Sequence, residues 1–257
     1  MTCNSFRLLL YVVALQSLKH PNVVQLRDVF EIDLNSFATV LEYCPGQDLD
    51  QMLKQNHYLI EREARAIIIQ VLAALRYFNN CGGPTGTEGA KSDAPSHHKR
   101  RIIHYDLKPG NILFDKNRRA KITDFGLSKI LEDADGDDAS SMELTSQGAG
   151  TYWYLPPECF HVGSSPPRIS DKVDVWSIGV IFYQMLYGKR PFGDGQTQER
   201  LLQDKVILRA QEVTFPEKPQ VSKEAKRFIQ KCLTPQQHLR PDVKTVCQDP
   251  YLRMKLR

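Results

Sequence analysis

The sequence predicts an α+β chain in which a small, incomplete β-rich portion precedes a mainly helical C-terminal part. Three observations carry that expectation. β-branched and aromatic residues are concentrated from Val23 to Ile32 and from Phe37 to Cys44, on either side of the turn-forming Asp33-Leu34-Asn35-Ser36. Apolar residues then recur at Ala64, Ile67, Ile68, Val71, Leu72, Leu75 and Phe78, spacings that put one stripe on a helix running from Glu61 to Asn79. From beyond Ser141 to the end, helical patterns dominate.

In chain order, the first feature is an apolar run from Leu8 to Leu15 behind Arg7. At eight residues it is too short for a bilayer, which takes ~20, and no small-x-small cleavage site follows. Residues 1–17 are therefore expected to form an anomalous apolar leader. The two β-rich segments after it read as a hairpin. Beyond the helix at 61–79, residues 79–100 hold Gly82, Gly83, Pro84, Gly86, Gly89 and Pro95 with no apolar period, which predicts an inserted surface loop.

Short strands follow at Ile102-Ile103, Ile112 to Phe114 and Ala120 to Thr123. The acidic stretch Glu132, Asp133, Asp135, Asp137 and Asp138, leading to Ser140 and Ser141, is too polar to bury. Asp174 to Tyr187 is apolar nearly all round, as a central helix would be, and Ser222 to Leu233 is amphipathic. Residues 253–257 form a basic tail. There is no internal repeat and no sustained heptad, so the sequence carries no coiled-coil signal of oligomeric state.

Composition narrows the function classes. The chain has 257 residues, 41% of them hydrophobic and 25% charged, which is ordinary globular usage and argues against collagen, wholesale disorder or a coiled-coil rod. Its net charge of +4 comes from scattered basic residues rather than a stripe, so no direct nucleic-acid partner is expected. No membrane partner is expected either. Six widely spread cysteines contain no Cys-x-x-Cys pair and read as free thiols. The seven histidines show no metal-ligand spacing.

The chemistry is concentrated in four motifs. His104-Tyr105-Asp106-Leu107-Lys108-Pro109-Gly110-Asn111 is followed by Asp124-Phe125-Gly126, then Pro156-Pro157-Glu158, then Asp174-Val175-Trp176-Ser177-Ile178-Gly179. An isolated Asp or Lys is ordinarily a surface residue. Four motifs in this order, each in a fitting structural context, resemble the catalytic half of a eukaryotic protein kinase. The resemblance implies a protein kinase fold, with ATP and Mg2+ as cofactors. Phosphoryl transfer spreads charge over phosphate oxygens, so the protein's task is positioning and neutralisation.

By that resemblance Asp124 and Asn111 hold the metal ions, and Asp106 accepts or orients the proton of the attacking hydroxyl. Lys108 contacts the γ-phosphate and Thr151 lies on the substrate side; both favour protein substrates with Ser or Thr acceptors. Leu41-Glu42-Tyr43-Cys44 resembles a hinge in which Leu41 is the gatekeeper and the Glu42 carbonyl and Cys44 N–H read the adenine edge. Asp48 would meet the ribose and Leu113 would lie under the adenine. The structural residues implied are His104, Phe125 and Gly126, the ion pair Glu158–Arg240, and Asp174 tying its helix to the catalytic loop. Residues 18–252 would then be a kinase domain, with an N-lobe remnant at 18–41, a hinge at 42–48 and a C-lobe at 49–252.

Within that family the hinge residues, Tyr105, the run from Met142 to Phe160 and Gly188-Lys189-Arg190-Pro191-Phe192-Gly193 closely resemble the Tousled-like kinases. The likeness covers about residues 18–252. It implies a nuclear protein acting in chromatin assembly, with histone chaperones among its substrates. Tyr105 stands where many kinases carry arginine, so a phosphorylated activation loop would lack its usual cationic partner there. Ser140, Ser141, Thr145 and Ser146 are candidate acceptors of autophosphorylation.

The sequence also departs from the family. Three strands, a helix and their loops ahead of the fourth strand need roughly 40 residues. Only 22 precede Val23, no Gly-x-Gly-x-x-Gly occurs, and the sole lysine before the hinge is Lys19. Residues 6–17 carry no glutamate that could form the Lys–Glu pair of active kinases. Three readings stay open: a truncated piece of a longer active kinase, a noncatalytic kinase-like scaffold, and a weakly active form using another cation. The hairpin is expected to be less stable than the helical part, since two strands rarely stand alone.

Overall fold

The computed structural model describes residues 18–33, 36–80, 100–132, 141–144 and 148–254. The leader at 1–17, nearly all of the 79–100 insertion, the acidic run from Asp133, the acceptors Ser140, Thr145 and Ser146 and the end of the basic tail lie outside the described residues.

The first two strands, β1 (Leu26–Asp33) and β2 (Ser36–Leu41), form the expected antiparallel hairpin with Val29 opposite Thr39. Its limits differ from the sequence reading. Val23 and Val24 belong instead to a segment that bridges Ile122 in parallel, and residues 42–44 leave the sheet. The hairpin is thin, and Phe30 and Ile32 remain 51% and 67% exposed.

Helix α1 (Leu49–Asn56) begins at Asp48, whose carboxylate caps the Gln51 N–H at 2.8 Å. Helix α2 (Glu61–Phe78) follows the predicted stripe and buries Ala64, Ile67, Ile68, Val71, Leu72, Ala74, Leu75 and Phe78. Next come β3 (Arg100–Ile103), β4 (Ile112–Phe114), β5 (Ala120–Ile122) and β6 (Lys129–Glu132). β4 pairs with β5, and β3 pairs with β6, a partner the sequence did not announce. β7 (Met142–Glu143) and β8 (Arg168–Ile169) make a last short ribbon.

Helix α3 (Lys172–Tyr187) is the centre of the molecule, with Val173 to Tyr183 buried without interruption. Its close neighbour is α5 (Lys223–Cys232), which follows the short α4 (Gln198–Gln203) and precedes α6 (Val243–Val246). Gly179 permits the approach of α3 and α5: a Cβ there would lie 2.8 Å from Cys232 Cβ and from the Leu233 side chain. One large apolar core runs from α2 through α3 to α5, and a smaller one gathers Ile103, Tyr105, Leu131, Leu144, Leu155, Cys159, Ile169 and Val173. The α+β architecture with a mainly helical C-terminal part is as predicted.

Candidate active site

The β4–β5 ribbon brings two distant motifs together. Ile112 pairs with Ile122, and the Thr123 N–H continues the ladder by donating to the Asn111 carbonyl at 3.0 Å. Asn111, at the entry to β4, therefore sits beside the segment that ends in Asp124. The loop between β3 and β4 carries His104 to Asn111, and a buried carboxylate fixes it: Asp174, on α3, accepts the His104 N–H at 2.8 Å and the Tyr105 N–H at 2.9 Å. Burial pushes the Asp174 carboxyl up to about 7, against the opposing pull of those two donors.

Tyr105 and Asp124 both hold left-handed backbone, with φ of 71° and 62°. Such conformations cost a non-glycine residue about 1–3 kcal/mol and persist where the surroundings over-determine them. Tyr105 is pinned by Asp174 and by its burial in the smaller core. Beside Asp124, the buried Phe125 ring meets Phe78 edge-on at 5.4 Å and lies 5.1 Å from the His104 ring. His104 Nε2 donates to the Thr123 carbonyl at 3.0 Å, and burial holds its imidazole below the usual range, hence neutral. A Cβ on Gly126 would stand 3.2 Å from Asp124 Oδ1, the atom that accepts the Gly126 N–H at 3.3 Å.

Asp106 is the hub. Its Oδ2 accepts from Lys108 Nζ at 2.7 Å and from Asn111 Nδ2 at 3.3 Å, and its Oδ1 accepts from the Thr151 N–H at 3.1 Å and Thr151 Oγ1 at 2.9 Å. Lys108 Nζ also donates to Thr151 Oγ1 at 3.0 Å. A carboxylate offers about four lone-pair sites, and here all are engaged, so an incoming hydroxyl would have to displace one partner.

The Asn111 amide uses Nδ2 for both of its hydrogen bonds, to the carbonyl and to Oδ2 of Asp106, which leaves Oδ1 for a metal. Asp124 is exposed. An all-oxygen set of this kind fits a hard cation such as Mg2+.

The residues expected on the nucleotide side lie at the end of β2, in the segment 42–48 between β2 and α1, and on β4. Leu41, closing β2, is 46% exposed, Cys44 is half-buried with its thiol raised by burial, and Leu113 is half-buried on β4. Asp48 has a task the sequence reading did not assign: beyond the cap, its Oδ2 accepts from Gln51 Nε2 at 3.0 Å, so a ribose would compete for the same carboxylate.

Behind the site, Arg240 meets Glu158 in two hydrogen bonds, 2.8 and 3.1 Å, with both side chains buried. The guanidinium donates further to the carbonyls of Thr234, Pro235 and Lys172 and lies 5.0 Å over the Trp176 ring. Glu158 follows Thr151 by seven residues, so this anchor fixes the segment that delivers Thr151 to Asp106.

The structure thus brings Asp106, Lys108, Asn111 and Thr151 into one cluster beside Asp124, and places Leu41, Glu42, Cys44 and Leu113 along a separate edge. Sequence reasoning missed Lys121, a buried lysine in β5 paired with Glu42 at 3.0 Å; a lone lysine in a short strand gives no such signal.

Comparison with known proteins now adds a family. The sequence matches the Protein kinase domain family over residues 10–82 and 96–252, with the gap inside the predicted insertion. It is 53% identical over 245 residues to serine/threonine-protein kinase tousled-like 2 of Homo sapiens, which covers 94% of this chain and 30% of that protein. It is 55% identical over 238 residues to serine/threonine-protein kinase TOUSLED of Arabidopsis thaliana, covering 92% of this chain and 32% of that protein. The chain spans about a third of the length of these curated relatives.

Proposed function

The chain belongs to the protein kinase family, where its similarity is to the Tousled-like members, and from that membership we propose that it transfers the γ-phosphate of ATP to Ser or Thr hydroxyls of protein substrates. The closed cluster on Asp106 is the observation that carries this reading. Asp106 receives or orients the proton of the acceptor hydroxyl. Lys108, already 2.7 Å from Asp106, neutralises charge on the transferring phosphate. Asn111 Oδ1 and Asp124 would hold Mg2+, which when bound neutralises the phosphate oxygens. Leu41, the Glu42 carbonyl, the Cys44 N–H and Leu113 form the adenine side.

The finer assignment rests on the Tousled-like resemblance: a nuclear kinase acting in chromatin assembly on histone chaperones. A noncatalytic kinase-like scaffold is the alternative, in which Asp106 keeps its four present hydrogen bonds. Incubation with ATP, Mg2+ and a Ser/Thr-containing protein separates the readings. Mass spectrometry is expected to find phosphate on Ser or Thr, and none with Asp124→Asn. Undiminished transfer by that variant would overturn the assignment.

A further inference from the structure

The hinge and the metal-side carboxylate share one support. Lys121 lies in β5, three residues before Asp124, with its side chain only 9% exposed. Its Nζ donates to Glu42 Oε2 at 3.0 Å and to the Val23 carbonyl at 3.4 Å. Glu42 is held on its backbone as well: its N–H donates to the Gln25 carbonyl at 2.8 Å while its Oε2 accepts the Gln25 N–H at 3.2 Å. The segment around Gln25 is itself tied to β5, through Ile122 N–H to Asn22 O and Val24 N–H to Ile122 O, both 2.9 Å.

At the far end of the hinge the Gly46 N–H donates to the Phe114 carbonyl on β4 at 3.1 Å. A Cβ on Gly46 would come within 2.6 Å of that oxygen, so the contact excludes any side chain. The hinge is therefore clamped at two points onto the ribbon whose ends carry Asn111 and Asp124. Between the clamps Tyr43 is 85% exposed.

We propose that Lys121 is a positioning residue for the nucleotide: by pairing with Glu42 it sets the Glu42–Cys44 backbone edge in register with Asp124. The inference rests on the kinase reading above. It assigns to β5 a mechanical task, holding the adenine-reading edge and the metal-side carboxylate at a fixed separation. The pair borders an open groove of about 310 Å³ lined also by Lys19, His20, Pro21 and Arg27, so shortening Lys121 leaves Glu42 hydrated rather than sealed in a void. Loss of the pair then frees the hinge without unfolding the core.

The test is Mg2+–ATP affinity of the 257-residue chain by calorimetry, for the unaltered protein, Lys121→Met, Glu42→Gln and the exchanged pair Lys121→Glu with Glu42→Lys, with thermal melting beside it. Each single variant is expected to bind about tenfold more weakly, the order of one hydrogen bond to a charged group. The exchanged pair is expected to recover most of that loss, and in Lys121→Met the KM for ATP rises with little change in kcat. Unchanged affinity in both single variants would overturn the inference alone. A purely structural lysine, lowering the melting temperature with no recovery in the exchanged pair, would also overturn it. Absence of nucleotide binding by the unaltered chain would overturn the kinase reading and this inference together.

Discussion

The Thr151 hydroxyl donates to Asp106 Oδ1 across 2.9 Å, although 45 residues separate the two in sequence. Lys108 closes the triangle, reaching both within 3.0 Å. Nothing local to either residue produces this contact. Asp174 holds the loop of Asp106 from one side, and the Glu158–Arg240 pair holds the segment of Thr151 from the other. Tyr105, immediately before Asp106, packs into the same small apolar core as Leu155 and Cys159, so the two segments also share a greasy joint.

Thr151 supplies a hydroxyl and an N–H to the hub, and substitution separates them. Thr151→Ser is expected to retain most transfer activity, while Thr151→Ala loses about tenfold in kcat, the order of one hydrogen bond to a charged group. ATP affinity stays unchanged in both. Steady-state kinetics with ATP varied check this; an unimpaired Thr151→Ala chain would remove Thr151 from the site.

Breaking the buried pair behind the site costs fold stability. Arg240→Ala orphans Glu158, a loss of about 3–5 kcal/mol, which in a chain of this size lowers the melting temperature by about 10 °C. Calorimetric melting measures it. Because every Arg240 donor also serves a carbonyl or carboxylate, Arg240→Lys is expected to recover only part of the loss.

Asp174 makes stability depend on pH. Its folded pKa, about 7, lies above the ordinary carboxylate value of 3.8. Between those two values the folded chain holds a proton that the unfolded chain has released, so this group's contribution falls as pH rises through the window and levels off above it. Denaturant midpoints of the unaltered chain and Asp174→Asn, taken from pH 4 to 8, isolate the effect. The difference is expected to shift toward the variant as pH rises; a pH-independent difference would refute it.

Among the described residues nothing covers most of the β1–β2 hairpin, where β1 buries only Leu26, and a two-stranded ribbon is marginal by itself. Backbone amides of residues 26–41 are therefore expected to exchange with deuterium well before those of α3. Equal protection of the two regions, measured by hydrogen exchange, would contradict the account.

How much of this was legible in the sequence depended on the range of the interaction. The stripe from Ala64 to Phe78 fixed α2 to within a residue at its C-terminal end, and the apolar run at 174–187 located α3, which starts two residues earlier at Lys172. The motif residues Asp106, Lys108, Asn111 and Thr151 could be named from the sequence, and the structure joins them by hydrogen bonds. Short elements escaped: α1 presents only Leu49, Met52 and Leu53 as an apolar face, and β6 is a four-residue strand that exists because Ile102 and Leu131 have partners across a ribbon. Lys121 escaped for the same reason. Its burial is decided by Glu42, 79 residues away, and by a backbone bridge at Val23 that no periodicity announces.

Phosphate transfer under single-turnover conditions, with bound ATP quantified in the same samples, tests the central claim most directly. The unaltered chain is expected to move the γ-phosphate to a Ser or Thr hydroxyl in the presence of Mg2+. Asp106→Asn is expected to bind ATP equally well yet transfer about 10²- to 10⁴-fold more slowly, the range for losing general-base assistance. Bound ATP with no transfer by the unaltered chain, or transfer undiminished in Asp106→Asn, would contradict it.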